Sequence, residues 1–129
     1  MIKVLGLVEA GFPAYSNEDL LDTSSLDEYL IENHEASYLL KVKGDSMIDA
    51  GIMPGDLVIV ERGRPARVGE VVVAEVDGEF TLKFLRENNN KLYLEPANKK
   101  YKLIFPKEEL KVVAVVRALV RKYGSSASP

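Results

Sequence analysis

The chain has 129 residues, the size of one ordinary domain and enough to bury a single hydrophobic core without metals or cross-links. It contains no cysteine, which excludes a disulfide framework, a thiolate zinc site and a cysteine nucleophile. Lys and Arg total 17 against 20 Asp and Glu, a net charge of -3, whereas nucleic-acid-binding domains carry a clustered basic surplus; direct nucleic-acid binding by this chain is disfavoured.

The opening run from Met1 to Val8 is too short to cross a bilayer, and as a secretory signal its apolar core is minimal. A cytoplasmic protein without membrane association is the compatible reading. Residues 1–15 are apolar and end in Ala10-Gly11-Phe12-Pro13-Ala14, where Pro13 disfavours a helical conformation at Phe12 and favours extended backbone. Ser16 to Thr23 is polar and acidic, a solvated connector on which a mobile N-terminal arm can swing. The expected organisation is an arm and connector over residues 1–23, a folded domain over 24–123 and a disordered polar tail over 124–129.

Ser25-Leu26-Asp27-Glu28 has the form of a capping box, and Leu26, Tyr29 and Leu30 fall at helical spacing, which predicts one short helix from Leu26 to Asn33. Strand patterns follow. Ser37 to Lys43 mixes aromatic, aliphatic and β-branched residues and stops at Gly44, so Ser46 sits just past a strand end. Gly51 and Pro54-Gly55 mark turns before the apolar run Asp56 to Glu61. Glu70 to Val76 and Glu79 to Leu85 flank Asp77-Gly78, a strong hairpin signal, and the second of these strands carries Lys83. Period-two alternation puts Thr81, Lys83 and Leu85 on one face and Phe80, Leu82 and Phe84 on the other. Lys91 to Glu95 reads as a further strand after the Asn88-Asn89-Asn90 turn. The segment Leu110 to Tyr123 is ambiguous by periodicity, with its valines favouring a strand. The fold class is mostly β with one short helix.

A serine hydroxyl becomes a useful nucleophile only beside a base. The single histidine, His34, lies in a polar stretch without an evident partner, which leaves lysine as the candidate base. Taken singly, Ser46 reads as a turn serine, Lys83 as a solvated strand lysine and Ala10-Gly11-Phe12-Pro13 as a turn. Asp45 and Asp49 read as solvated turn formers and are given no catalytic role. No phosphate-binding glycine pattern and no histidine or cysteine cluster for a metal is present in the sequence, and no cofactor is implied.

The runs KVKGDSMIDAGIMPGDLVIVE (residues 41–61), VGEVVVAEVDGEFTLKFL (68–85) and LYLEPAN (92–98) resemble the self-cleaving serine peptidase family of LexA repressors and UmuD mutagenesis proteins. The resemblance covers nearly the whole chain, and Ala-Gly-Phe-Pro, the helical Ser-Leu-Asp-Glu-Tyr-Leu-Ile segment and Gly-Asp-Ser-Met-Ile-Asp make its UmuD branch the closer match. It implies a LexA/UmuD-like catalytic β domain in which Ser46 is the nucleophile, Lys83 the general base, the backbone N–H groups of Asp45 and Ser46 the oxyanion donors, and Ala10-Gly11 the bond cut. The implied partners are a second copy in a homodimer, a RecA–single-stranded-DNA filament that stimulates cleavage in the SOS response, and a UmuC-like translesion polymerase that binds the cut form.

The chemistry is consistent with that assignment. A lysine of ordinary pKa, about 10.4, cannot accept a proton at neutral pH, and an apolar setting lowers it. Small residues at Ala10 and Gly11 let backbone approach a nucleophile closely. The 35 positions from Gly11 to Ser46, at about 3.3 Å each, can span any domain of this size.

The opening Val4 to Gly11 is also similar to the segment before the LexA cut, so a second reading is the dimerisation and self-cleavage part of a LexA- or phage-type repressor, whose DNA-binding half is not within these residues. A third is a non-catalytic β module that keeps the fold as a binding platform.

Overall fold

The computed structural model describes residues 25–124. The expected arm and connector, with Ala10 and Gly11, and the tail from residue 125 onward lie outside the described residues. The chain divides into two compact units, Met1–Glu32 and Asn33–Pro129.

In the first unit, helix α1 (Leu26–Leu30) starts where the capping box predicts. Ser25 Oγ accepts the Glu28 N–H at 3.1 Å and donates to Glu28 Oε1 at 3.2 Å. The helix ends three residues earlier than its spacing suggests, with Ile31 already extended at φ -119° and ψ 115°. None of its residues is buried, and so short a helix has little beyond its cap to hold further turns.

The second unit is a six-stranded antiparallel sheet that begins after a 3-10 turn at His34–Ala36. Its strands are β1 (Ser37–Lys41), β2 (Leu57–Arg62), β3 (Val71–Val76), β4 (Glu79–Asn88), β5 (Lys91–Glu95) and β6 (Leu110–Val120), ordered β1-β2-β6-β3-β4-β5. The mostly β class read from the sequence is the observed one. Asp77 and Gly78 both take positive φ, 49° and 92°, as a tight hairpin between β3 and β4 requires. A second such turn at Asn89 and Asn90, φ 54° and 63°, folds β5 back on β4 and carries β4 on to Asn88, past the expected end at Leu85. The ambiguous segment is the strand β6. Inserted between β2 and β3, it is lined by neighbours on both sides, and its β-branched residues suit that position.

Alternation along the strands builds two apolar clusters. Met47, Ile52, Val58, Val60 and Ala114 form one; Val72, Ala74, Leu85, Leu94 and Val115 form the other. Successive residues Ala114 and Val115 thus enter different clusters, as a period of two demands. Register shifts where β6 meets Ile59/Val60 and Val73/Ala74 add local twist on both sides of the central strand. The curl brings Leu40 of β1 and Phe80 of β4, four strand positions apart in the sheet order, to line one cleft. β5 pairs only with Phe84–Asn88, so Glu79 to Lys83 of β4 has β3 on one side and no strand on the other. No helix among the described residues is long and apolar enough to cross a membrane.

Candidate active site

The turn after β1 begins at Gly44, whose φ of 85° belongs to the left-handed region and reverses the chain without a side-chain clash. Three residues on, Met47 is 2% exposed and roots the turn in the first cluster. A short 3-10 turn, Ile48–Ala50, then closes through the Gly51 N–H to the Ile48 carbonyl at 2.9 Å. Ser46 is suspended between the glycine reversal and the methionine anchor. Arg121, just beyond β6, braces the far end: it donates to the Gly51 carbonyl at 2.6 Å and to both carboxylate oxygens of buried Asp56 at 2.7 and 2.6 Å.

Lys83 enters from β4. Its Nζ lies 2.9 Å from Ser46 Oγ and 2.6 Å from Thr81 Oγ1. The residue is only 8% exposed; Val72 stands opposite it across the β3–β4 pair, and both Val72 and Leu85 are fully buried. Burial pushes the Lys83 amine below its ordinary value. The arrangement therefore presents a hydroxyl, an amine displaced toward its neutral form, and a second hydroxyl that orients the amine. With the amine neutral, its lone pair can take the Ser46 proton while an N–H still donates to Thr81.

Ser46 and Lys83 are thus brought into contact across 37 positions of sequence. Asp45 takes a different part. Its carboxylate accepts from the Tyr101 hydroxyl and, at 3.4 Å, from Lys100 Nζ; these contacts hold its carboxyl below the usual range, the Tyr101 bond foremost. Asp49 is exposed, and its N–H donates to the Ala97 carbonyl at 2.8 Å. His34 is exposed in the turn before β1. Of the two N–H groups that the resemblance implies as oxyanion donors, that of Ser46 has no acceptor among the described residues.

Sequence reasoning missed Thr81, Tyr101 and Lys100. Thr81 carried a signal, since it lies two residues before Lys83 on the same strand face; the other two come from a loop whose return to Asp45 is a tertiary event.

A cleft of about 330 Å³ opens beside the pair, with Leu40 to Gly44 on one bank and Phe80 to Lys83 on the other. It continues into an apolar hollow that shares Leu40, Val73 and Phe80 and adds Tyr38 and Val60. Phe80 is 66% exposed at this mouth.

A serine hydroxyl touching a buried lysine beside an open cleft is the kind of site on which a histidine-free serine peptidase can be built. The chain belongs to the Peptidase S24-like family, a family of self-cleaving serine peptidases, whose profile matches residues 3–117. It is 37% identical over 123 residues to a LexA repressor of Clostridium novyi, covering 95% of this chain and 60% of that protein. A LexA repressor of Alcanivorax borkumensis is 40% identical over 125 residues, 96% of this chain and 61% of that protein. One from Acidiphilium cryptum is 51% identical over 88 residues, 67% of this chain and 38% of that protein. The chain spans about three fifths of the length of the first two relatives.

Proposed function

We propose that this chain is the self-cleaving part of a LexA-type repressor, cutting its own Ala10-Gly11 bond with Ser46 as nucleophile and Lys83 as general base. The observation that carries the reading is the contact of Ser46 Oγ with the buried Lys83 amine. Ser46 Oγ attacks the Ala10 carbonyl carbon and its proton passes to neutral Lys83 Nζ. The oxyanion is received by the N–H of Ser46, with that of Asp45 as second donor. Collapse breaks the Ala10–Gly11 C–N bond, and the Lys83 ammonium returns its proton to the Gly11 nitrogen. Water, deprotonated by the same amine, then releases Ala10 from Ser46.

Two features of the cleft support an own-chain substrate. The outer side of β1 and the open half of β4 both line it, which suits extended peptide, and Pro13 favours extended backbone next to the cut. The apolar hollow suits the run Val4-Leu5-Gly6-Leu7-Val8 that precedes it in sequence. As in a repressor, cleavage separates what lies before residue 11 from this domain. Homodimerisation, stimulation by a RecA–single-stranded-DNA filament through a population shift toward the docked arm, a role in the SOS response and DNA repair, and a cytoplasmic location belong to the same proposal.

The relatives' shared name, LexA repressor, places this reading ahead of the UmuD-like one. The UmuD-like alternative, with SOS mutagenesis and a translesion polymerase as partner of the cut form, rests on the Ala-Gly-Phe-Pro, Ser-Leu-Asp-Glu-Tyr-Leu-Ile and Gly-Asp-Ser-Met-Ile-Asp segments.

Purified protein held at alkaline pH is expected to yield a chain beginning at Gly11 by intact-mass spectrometry, with Ser46→Ala and Lys83→Ala inert. Persistence of the full-length protein at high pH and with activated RecA would overturn the reading in favour of a non-catalytic module.

A further inference from the structure

The loop after β5 grips both carbonyls that flank the Ser46 Cα. The Ala97 N–H donates to the Ser46 carbonyl at 2.8 Å, and Asn98 Nδ2 donates to the Asp45 carbonyl at 2.8 Å. The Ile48 N–H also approaches the Asp45 carbonyl, but at 3.4 Å, beyond the usual range of about 2.7–3.2 Å for such a bond. Asn98 is one of the few buried polar residues, 8% exposed. Its Oδ1 accepts the Lys100 N–H at 2.9 Å and its own carbonyl accepts the Tyr101 N–H at 3.0 Å. A buried amide is costly unless bonded; bonds at both ends of this one hold its donor in a single orientation.

The Asp45 carbonyl and the Ser46 N–H belong to one peptide unit. That unit is planar and trans, so its C=O and N–H point in opposite directions, and fixing one aims the other. A donor on the carbonyl also polarises the amide and strengthens its N–H as a donor in turn. We infer that Asn98 is a positioning residue for the oxyanion site, aiming and polarising the Ser46 N–H through the Asp45 carbonyl. The inference rests on the proposed role of Ser46 in self-cleavage. Tyr101 and Lys100 do a different job, because they hold the Asp45 side chain and leave its carbonyl to Asn98.

The test follows self-cleavage of the full chain across the alkaline range in wild type, Asn98→Ala and Asn98→Asp. The aspartate keeps an acceptor for the Lys100 N–H, and with it the loop turn, yet once ionised it has nothing to donate to Asp45. Both variants are expected to reach a plateau rate about 10- to 100-fold below wild type, less than or comparable to the roughly 100-fold or greater cost of losing an oxyanion donor outright. The pH midpoint of Asn98→Ala stays at the wild-type value, since Lys83 is untouched. A wild-type plateau in either variant overturns the inference, and so does a moved midpoint in Asn98→Ala, which would place the effect at Lys83. Should Asn98→Ala lose its cooperative thermal transition, the plateau of Asn98→Asp decides on the same criterion. A wild type that never cuts overturns the self-cleavage reading and this inference with it, whereas a cutting wild type matched by Asn98→Asp strikes Asn98 alone.

Discussion

Lys83 Nζ stands 2.9 Å from Ser46 Oγ, while the same amine is 2.6 Å from Thr81 Oγ1 and is closed in by Val72 and Leu85. The burial that costs the ammonium its hydration is what fits the amine to accept a proton. On the proposed mechanism the active form is neutral Lys83, so the cleavage rate rises with pH and levels off above the folded-state pKa of this amine. That pKa is depressed by burial, which sets the midpoint below the ordinary value of about 10.4. Intact-mass time courses over a pH series measure it, and a midpoint at or above the ordinary value would contradict the assignment.

Thr81→Val removes the acceptor that orients the amine. A hydroxyl oxygen bonds a charged ammonium more strongly than a neutral amine, so its loss disfavours the charged form further. The midpoint is expected to move to lower pH while the plateau falls by roughly 10-fold, because the lone pair is no longer aimed at Ser46. A fall in plateau together with a rise in midpoint would be inconsistent with this role.

Lys83→Met links the same burial to stability. The folded pKa lies below the unfolded one, so between the two the unfolded chain binds the extra proton and folding becomes more favourable as pH rises. The penalty for burying the ammonium is fully present below the folded pKa and is gone above the ordinary lysine value. Lys83→Met is therefore expected to be more stable than wild type at neutral pH, with an advantage that shrinks as pH rises through that window. Urea unfolding at neutral and strongly alkaline pH measures the difference.

At Gly44 the requirement is backbone geometry. A Cβ there would meet no neighbouring atom, yet φ of 85° strains any L side chain. Gly44→Ala is expected to destabilise by about 1–2 kcal/mol, lowering Tm by roughly 4–8 °C per kcal/mol for a domain of this size. Cleavage should slow as well, since the same turn presents Ser46. Differential scanning calorimetry beside the cleavage assay separates the two effects.

Asp56 is held in its charged form by Arg121 first and by the Met53 N–H at 2.7 Å as well, and its pKa is lowered. A depressed carboxylate contributes stability that is present above its unfolded pKa and lost as pH falls through the folded one. Asp56→Asn is expected to cost about 1.5–3 kcal/mol at neutral pH, the scale of hydrogen bonds to a charged group. The variant should also show a shallower fall in stability with acid than wild type, lacking the share that Asp56 contributes, which unfolding curves over a descending pH series would reveal.

Much of the local structure is legible in the residues because its causes are local. Ser25 and Glu28 announce the helix start, Asp77-Gly78 the hairpin, and alternation along β4 places Lys83 with Leu85. The helix end was misjudged since helical spacing continues past the point where a five-residue helix has any support. β4 ran longer than expected because Asn89 and Asn90 form a second tight turn, which only the return of β5 makes visible. Nothing in residues 110–120 says that this last strand enters the middle of the sheet, and nothing in the residues around Asn98 says that its amide reaches the Asp45 carbonyl.

The sequence by itself determined the family, the β class, the strand identities and the candidacy of Ser46 and Lys83, because these depend on residue types, on period-two patterning and on motifs whose spacing survives unfolding of the chain. Only the tertiary structure decided that Lys83 is buried and touches Ser46, that Thr81 orients the amine, and that Asn98 holds the Asp45 carbonyl. Each of these is a meeting of groups that are distant in sequence or placed by the packing of other strands: β6 must insert between β2 and β3, and the sheet must curl, before β1 and β4 share a cleft. Burial, and the pKa that follows from it, is a property of that completed packing and of no segment alone.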